Sequence, residues 1–409
     1  MDLVRYTGCL ARQFQEMKIG FDVSQTGKNK AGCGYFADGL IRQLAASDVN
    51  NEYILYPAVG DLFWDPQCAT DTFVTDQSNF QRLDPPPDFE TSRNFWRNPG
   101  PGFDEKLGSP NIVHANNFFC PRGLKDARLV YTLYDLNFLI EPSWSTEQNR
   151  TGCLQGLFQA SVTADFIVAI SQYSRSHFLS AFPHYPSERI SVIYPASRFD
   201  SPGAGPCPER FLGLQPDRFW LTVGTIEPRK NHQRLFDACR ILKDQGTASF
   251  PLVLAGAQGW LMDKFDPRLQ GLEPERDVYL PGYVSDTELS WLFRNCLGFI
   301  YPSLFEGFGM PVLEALGFGA AVLCSKTSAL PEAAGNAALY FDPLDSSDIA
   351  AAMKRLMSGD VDRGFFRSAA LDQAKRFSWV RSADRLRELY HEVRALPRSF
   401  ESKNRSASF

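Results

Sequence analysis

Residues Leu297–Glu314 read LGFIYPSLFEGFGMPVLE, and this stretch sets the fold class. Its opening five residues, Leu297–Tyr301, form a short apolar run closed by Pro302, as expected of a strand buried on both faces. Gly307 and Gly309 then free the backbone in a loop. Pro311 suits the first turn of a helix, where a missing N–H costs nothing. Strand, glycine loop and helix in that order make one unit of a parallel sheet covered by helices. The alternation continues downstream with strands at Ala321–Ser325 and Leu339–Phe341 and a helix over Asp345–Met357. Upstream lie strands at Phe219–Gly224, Leu252–Ala255 and Val278–Leu280. A helix from about Asn231 carries Leu235, Ala238, Cys239 and Leu242 on one face, and Ser285 with Glu288 forms a capping box.

The first half repeats the pattern less cleanly. Strands are expected at Lys18–Val23, Asn51–Tyr56, Ile112–Ala115, Arg128–Leu133, Phe166–Ala169 and Ile190–Tyr194. Helices are expected through Phe36, Leu40, Ile41 and Leu44, near Ser145 and from Ser171. Gly60–Gly108, rich in Pro, Asn and aromatics, reads as a long irregular insertion, a loop or lid. Ser201–Gly213 holds three Pro and three Gly and reads as a linker. The expected architecture is therefore α/β, two Rossmann-like doubly wound domains facing across a cleft, over residues 18–200 and 214–380. Residues 1–17 and 397–409 read as flexible ends, and 381–396 as a helix packing back on the first domain. Ligands of such sheets bind beyond the carboxyl ends of the strands.

Composition narrows the function. Lys+Arg of 42 against Asp+Glu of 47 gives a net charge of -5, which offers nucleic acid no general attraction. No apolar run approaches the roughly 20 residues of a membrane span. Met1–Glu16 lacks the apolar core of a secretory signal. The nine cysteines, Cys9 through Cys324, are scattered singly, so neither a disulfide framework nor a zinc site is indicated. A cytoplasmic protein is expected, with peripheral contact at the inner face of a membrane as a minor expectation, because no basic amphipathic helix stands out.

Three places carry candidate chemistry. In the opening stretch, Gly307 and Gly309 present amides beside a helix N-terminus, an arrangement suited to phosphate. Glu306 in the loop and Glu314 one helical turn on suit hydrogen bonding to sugar hydroxyls, as ionised acceptors, better than proton transfer. The bland alternative is a strand–helix turn with a buried Phe308 and a solvated Glu314. In Val223–Asn231, Gly224 and Thr225 follow a strand and Arg229 and Lys230 place two cations at its carboxyl end, where a guanidinium fork and a point charge would hold a diphosphate. Pairs of basic residues in turns are more often simply solvated. Gly32 and Gly34, between the first strand and its helix, form a third candidate turn. It lacks the third glycine of G-x-G-x-x-G, so a dinucleotide fingerprint is weak.

Together these features resemble the retaining glycosyltransferases of family 4, which have the GT-B fold, over about Lys18 to Tyr390. The matching motifs are the E-x7-E pair Glu306 and Glu314, V-G-T-x-E-P-R-K-N at Val223–Asn231, Leu252–Gly256, Gly282-Tyr283-Val284, Tyr301–Ser303, Ser328-x-x-Pro331-Glu332 and Phe377-Ser378-Trp379. The resemblance implies that Lys230 and Arg229 hold the donor diphosphate and that Glu314 binds the nucleotide ribose. It implies that Glu306, with the amides of Gly307, Phe308, Gly309 and Met310, holds the transferred sugar. Gly32 and Gly34 would approach the phosphate. Thr225 stands where many members carry an Arg, so Arg229 would supply that charge. Tyr134 stands in Thr132-Leu133-Tyr134-Asp135 where relatives often carry His, and would act as a neutral hydrogen-bond donor. His114 is a subsidiary candidate there.

The implied reaction transfers a hexose, with mannose from GDP-mannose the donor guess, to a glycan, lipid-linked or polysaccharide acceptor. No cofactor and no metal are implied; the nucleotide-diphosphate sugar is a co-substrate. Two alternatives stay open: a sugar-nucleotide-binding protein without activity, suggested by Tyr134, and an NAD-dependent oxidoreductase. Acceptor choice is expected to lie in the 60–108 insertion.

Overall fold

The computed structural model describes residues 16–28, 30–60, 71–199, 205–247, 250–257, 259 and 277–397. Most of the two expected flexible ends, the start of the linker, part of the insertion, Cys9 and Cys68 lie outside the described residues.

The central short apolar runs become strands because they are buried on both faces. β1 (Lys18–Asp22), β2 (Glu52–Tyr56), β3 (Phe80–Arg82), β4 (Ile112–Ala115), β5 (Arg128–Leu133), β6 (Phe166–Ala169) and β7 (Ile190–Val192) form one sheet, ordered β3-β2-β1-β4-β5-β6-β7. Every pairing in it is parallel. A second all-parallel sheet contains β8 (Trp220–Val223), β9 (Leu252–Ala255), β10 (Val278–Gly282), β11 (Gly298–Tyr301), β12 (Val322–Ser325) and β13 (Ala338–Phe341), ordered β10-β9-β8-β11-β12-β13. In each sheet the order reverses between one pair of strands, β1 and β4 in the first, β8 and β11 in the second. At such a reversal the loops at the carboxyl ends diverge and leave a crevice.

The helices follow the expected caps. Ser171 accepts from the Ser174 amide at the start of helix Gln172–Ala181. Ser285 and Glu288 form the reciprocal capping box of helix Asp286–Asn295, and Asp345 caps helix Ser346–Met357. Ordered packing begins by Met17, which is buried and donates its amide to Asn51.

The segment 60–108 departs from the expectation of irregular chain. Its described part supplies the edge strand β3 and two helices, Phe89–Arg97 and Phe103–Lys106. Trp96 and Phe103 from these helices are buried in a core cluster with Ile54, Tyr56 and Leu129. The segment is therefore built into the first domain. The linker reading also shifts at its end: Phe211 is buried and its ring lies parallel to that of Trp291, so the chain rejoins the second domain before Gly213.

The two domains touch through several fixed contacts. Glu332 accepts from the amides of Gln172 and Tyr173 and from the Tyr194 hydroxyl, capping a first-domain helix from the second domain. The last helix, Trp379–Ala395, lies on helix Gly32–Ser47. Its Tyr390 hydroxyl is 2.6 Å from His114 Nδ1.

Candidate active site

The crevice of the second sheet opens where β8 and β11 part. After β8, Gly224 and Thr225 lead into a tight 3-10 turn, Pro228–Lys230, which aims Arg229 and Lys230 at the loop after β11. The Leu304 amide donates to the Arg229 carbonyl at 2.9 Å, which ties the two loops together.

Glu306 lies between the two cations. Its Oε2 is 2.9 Å from an Arg229 guanidinium nitrogen and its Oε1 is 2.7 Å from Lys230 Nζ. Arg229 also donates to the Phe305 carbonyl and pairs with Glu227 at 2.6 Å. Lys230 Nζ donates to the Tyr301 hydroxyl as well. All four charged side chains are buried or nearly so. Burial pushes the Glu306 carboxyl up, but Arg229 and Lys230 outweigh it and hold the group at about 2. Burial likewise opposes the charge on Arg229, and Glu306, Glu227 and Asp135 overcome it, raising its pKa further. A carboxylate so firmly ionised accepts hydrogen bonds and is a poor proton acceptor at neutral pH.

This revises the expected cationic spot. Two cations meet two carboxylates, so Arg229, Lys230, Glu227 and Glu306 sum to no formal charge. Any attraction for an anion here would come from rearranged pairing and from the loop beyond Glu306. There Gly309 has φ 106°, a left-handed conformation open chiefly to glycine, and it caps helix Met310–Gly317. The helix therefore points its free N–H groups back at the loop. Phe308 is buried, with its ring against Tyr194 and Phe377.

Glu314, on the buried side of that helix, pairs with Arg198, which sequence reasoning missed. Arg198 Nε is 3.2 Å from Glu314 Oε1, and its guanidinium stacks 4.6 Å from the ring centre of Tyr35. Gly32, Gly34 and Tyr35 lie in the first turn of helix Gly32–Ser47 and not in the glycine turn expected from the sequence, so this contact brings the N-terminus of that first-domain helix to the site. Burial outweighs the pull of Arg198, and the Glu314 carboxyl is pushed up to about 7. The folded protein therefore holds this proton more tightly than the unfolded chain. The stability Glu314 contributes is present below its ordinary 4.5 and is lost as pH rises through about 7. If the ionised form binds donor hydroxyls, donor KM should fall as pH rises from 6 to 8. Glu314→Gln should flatten that dependence, and kinetics at a series of pH values checks it.

Gly307 packs closely against the first domain. A Cβ there would sit 2.5 Å from the Tyr134 carbonyl oxygen, and the Ser174 hydroxyl bonds both the Tyr134 and the Gly307 carbonyls. Gly307→Ala should push the loops apart while sparing each core. We expect about a 10²-fold loss in turnover, the scale on which a misplacement of about 1 Å acts. Melting of the variant should stay close to that of the wild type.

Tyr134 does not present its hydroxyl proton to the crevice. The hydroxyl donates to the Asn116 carbonyl at 2.7 Å and approaches that of Cys33 at 3.2 Å, and the side chain is buried. Burial raises its pKa well above the usual tyrosine value. The group that does face the cluster from this loop is its neighbour Asp135, a half-buried carboxyl raised by desolvation and pulled down by Arg229. His114 is fully buried, with both ring nitrogens engaged by Tyr390 and Thr132, and burial lowers its pKa to about 3. It is a structural residue. Among the described residues no group of three or more His, Cys, Asp or Glu is placed to hold a metal ion, and no helix is long and apolar enough to cross a membrane.

Residues 210–373 match the family model described as Glycosyl transferases group 1. O-antigen chain mannosyltransferase B of Escherichia coli is 33% identical over 273 residues, covering 66% of this chain and 71% of that protein. The chain belongs to the group 1 glycosyltransferases. The serotype-specific mannosyltransferase WbdA of E. coli is 31% identical over 236 residues, which are 54% of this chain and 28% of that protein. The fold of this group 1 glycosyltransferase matches the crystal structure of Anabaena Alr3699/HepE in complex with UDP and glucose, with a TM-score of 0.66, 20% identity, and 91% and 99% of the two chains covered. It also matches WaaG, a glycosyltransferase involved in lipopolysaccharide biosynthesis, with a TM-score of 0.65, 14% identity, and 91% and 99% covered. These likenesses establish the GT-B architecture.

Proposed function

We propose that this group 1 glycosyltransferase is a family 4 enzyme that moves mannose from GDP-mannose to a growing polysaccharide or lipid-linked glycan, with retention of anomeric configuration. The observation that carries the reading is Glu306, held ionised between Arg229 and Lys230 at the mouth of an amide-lined loop. Its lone pairs are aimed by the two cations, which suits binding of sugar hydroxyls. The mannose assignment draws on the two Escherichia coli relatives, both of them mannosyltransferases.

Arg229, Lys230 and the N-terminus of helix Met310–Gly317 would stabilise charge developing on the departing diphosphate. As the diphosphate arrives, its oxygens compete with Glu306 and Glu227 for the guanidinium and ammonium, and the freed carboxylate oxygens turn to the sugar. Glu314 would accept from the ribose hydroxyls, with Arg198 orienting its carboxylate. Same-face displacement follows: the bond from the anomeric carbon to the phosphate oxygen breaks as the acceptor oxygen bonds, and that phosphate oxygen takes the acceptor proton. Glu306 at about 2 is unsuited to take it. The nucleotide sugar is a co-substrate in this scheme and no cofactor is called for. A cytoplasmic location, at or near the inner face of a membrane, is the setting in which such donors meet lipid-linked acceptors.

Protection against thermal unfolding tests the donor. GDP-mannose should raise Tm more than UDP- or ADP-sugars at equal concentration, by mass action on the folded state. Equal protection by all of them, or preference for a UDP-sugar, would overturn the mannose assignment.

A further inference from the structure

We propose that the groove between helices Phe89–Arg97 and Glu147–Thr163 is a second carbohydrate site, holding the distal part of an oligosaccharide acceptor. The groove is open and encloses about 410 Å³. One wall presents Phe89, Arg93 and Arg97, and the other presents Gln148, Thr151 and Gln155. It continues into a smaller hollow that shares Arg97 and Gln155 and adds Phe119 and Arg122.

The lining is planar and polar. The Gln148 and Gln155 amides each offer a donor and an acceptor, and the guanidiniums offer donors, at the spacing of neighbouring hydroxyls. The ring of Phe89, 43% exposed, offers an apolar face for a sugar ring to lie on. Glu147 at the same wall offsets part of the arginine charge, so the groove does not read as a plain anion site. An open-ended trench also suits a polymer passing through better than a small molecule enclosed on all sides.

Position connects the groove to the chemistry. The 3-10 turn Pro142–Trp144, which leads into helix Glu147–Thr163, touches the turn Pro228–Lys230. On the inner face of that helix Cys153 is buried, close enough to Asp135 to feel its charge. The groove runs along the outer side of the same helix, so at least the width of a helix separates it from Asp135. An occupant reaching both places is a chain of several sugars. The insertion helix Phe89–Arg97 supplies one wall, which gives the 60–108 segment a direct part in acceptor choice.

That the occupant is an acceptor rests on the reading as a glycosyltransferase, whereas binding alone does not. Isothermal titration of the full chain with a linear mannose tetrasaccharide therefore tests the groove without turnover. The wild type should bind it. Thr151→Trp, at an exposed helix position where the ring fills the groove, should weaken binding about tenfold, and Gln155→Ala should weaken it in the same direction. Binding of GDP should be unchanged in both variants, and it reports separately on the donor site. Absence of tetrasaccharide binding by the wild type, or equal affinity in the wild type and Thr151→Trp, would overturn the proposal. Binding of anionic phospholipid vesicles that Thr151→Trp abolishes, with no tetrasaccharide bound, would assign the groove to lipid and overturn it equally.

Discussion

Lys230→Ala is expected to lower kcat/KM for sugar transfer by about 10³-fold, the scale of removing one preorganised charge from a developing anion. Lys230 is 8% exposed, and its Nζ is fixed by the Tyr301 hydroxyl at 2.6 Å and by Glu306 at 2.7 Å. A compact ammonium held on two sides is placed before the diphosphate arrives, so no reorganisation is needed at the moment of reaction. Lys230→Arg should restore little, because a planar fork is larger and has no room between Tyr301 and Glu306. The fold should persist, since Arg229 still neutralises Glu306. Steady-state kinetics beside a circular dichroism melt checks both statements. A variant within threefold of wild-type activity would remove Lys230 from the donor site.

The second large effect belongs to Glu306. Glu306→Ala strands two buried cations, Arg229 and Lys230, with Glu227 the one remaining close carboxylate partner among the described contacts. Breaking a buried pair from one side costs about 3–5 kcal/mol, and urea denaturation should read a loss of that size. Glu306→Gln keeps the shape and several hydrogen bonds, so its stability loss should be smaller. Both variants should lose transfer, because a neutral amide neither aims its oxygens between two cations nor holds a sugar hydroxyl with a charge-assisted bond. The sign with pH follows from the carboxyl being held at about 2 instead of its ordinary 4.5. The stability it contributes is present above 4.5 and is lost as pH falls toward 2, and Glu306→Gln should blunt that part of acid unfolding.

These expectations show which links were legible in the sequence. The runs Phe219–Gly224 and Leu297–Tyr301 announced strands because both faces are buried, and the residues just beyond them had to meet at a crevice of the second sheet. The placement of Arg229, Lys230 and Glu306 near one another follows from topology alone. Their pairing does not: Lys230 and Glu306 are 76 positions apart, and Arg229 reaches back two residues to donate to Glu227. Arg198 was invisible for the same reason, since its partner Glu314 lies 116 positions away in the other domain and its stacking partner Tyr35 stands far upstream in its own. Tyr134 misled because sequence position gives the strand end but not the direction of a hydroxyl. Nor does β3 leave a periodic trace, as three residues with only Phe80 buried carry too little pattern to read.

The central claim is transfer of mannose from GDP-mannose with retention at this crevice. Proton NMR of the first-formed product of the purified enzyme, given GDP-mannose and a mannose oligosaccharide, tests it most directly. The account predicts GDP release matched by a new α-mannoside, the configuration of the donor, and loss of both in Lys230→Ala. A β-linked first product, or transfer that survives in Lys230→Ala, would contradict it.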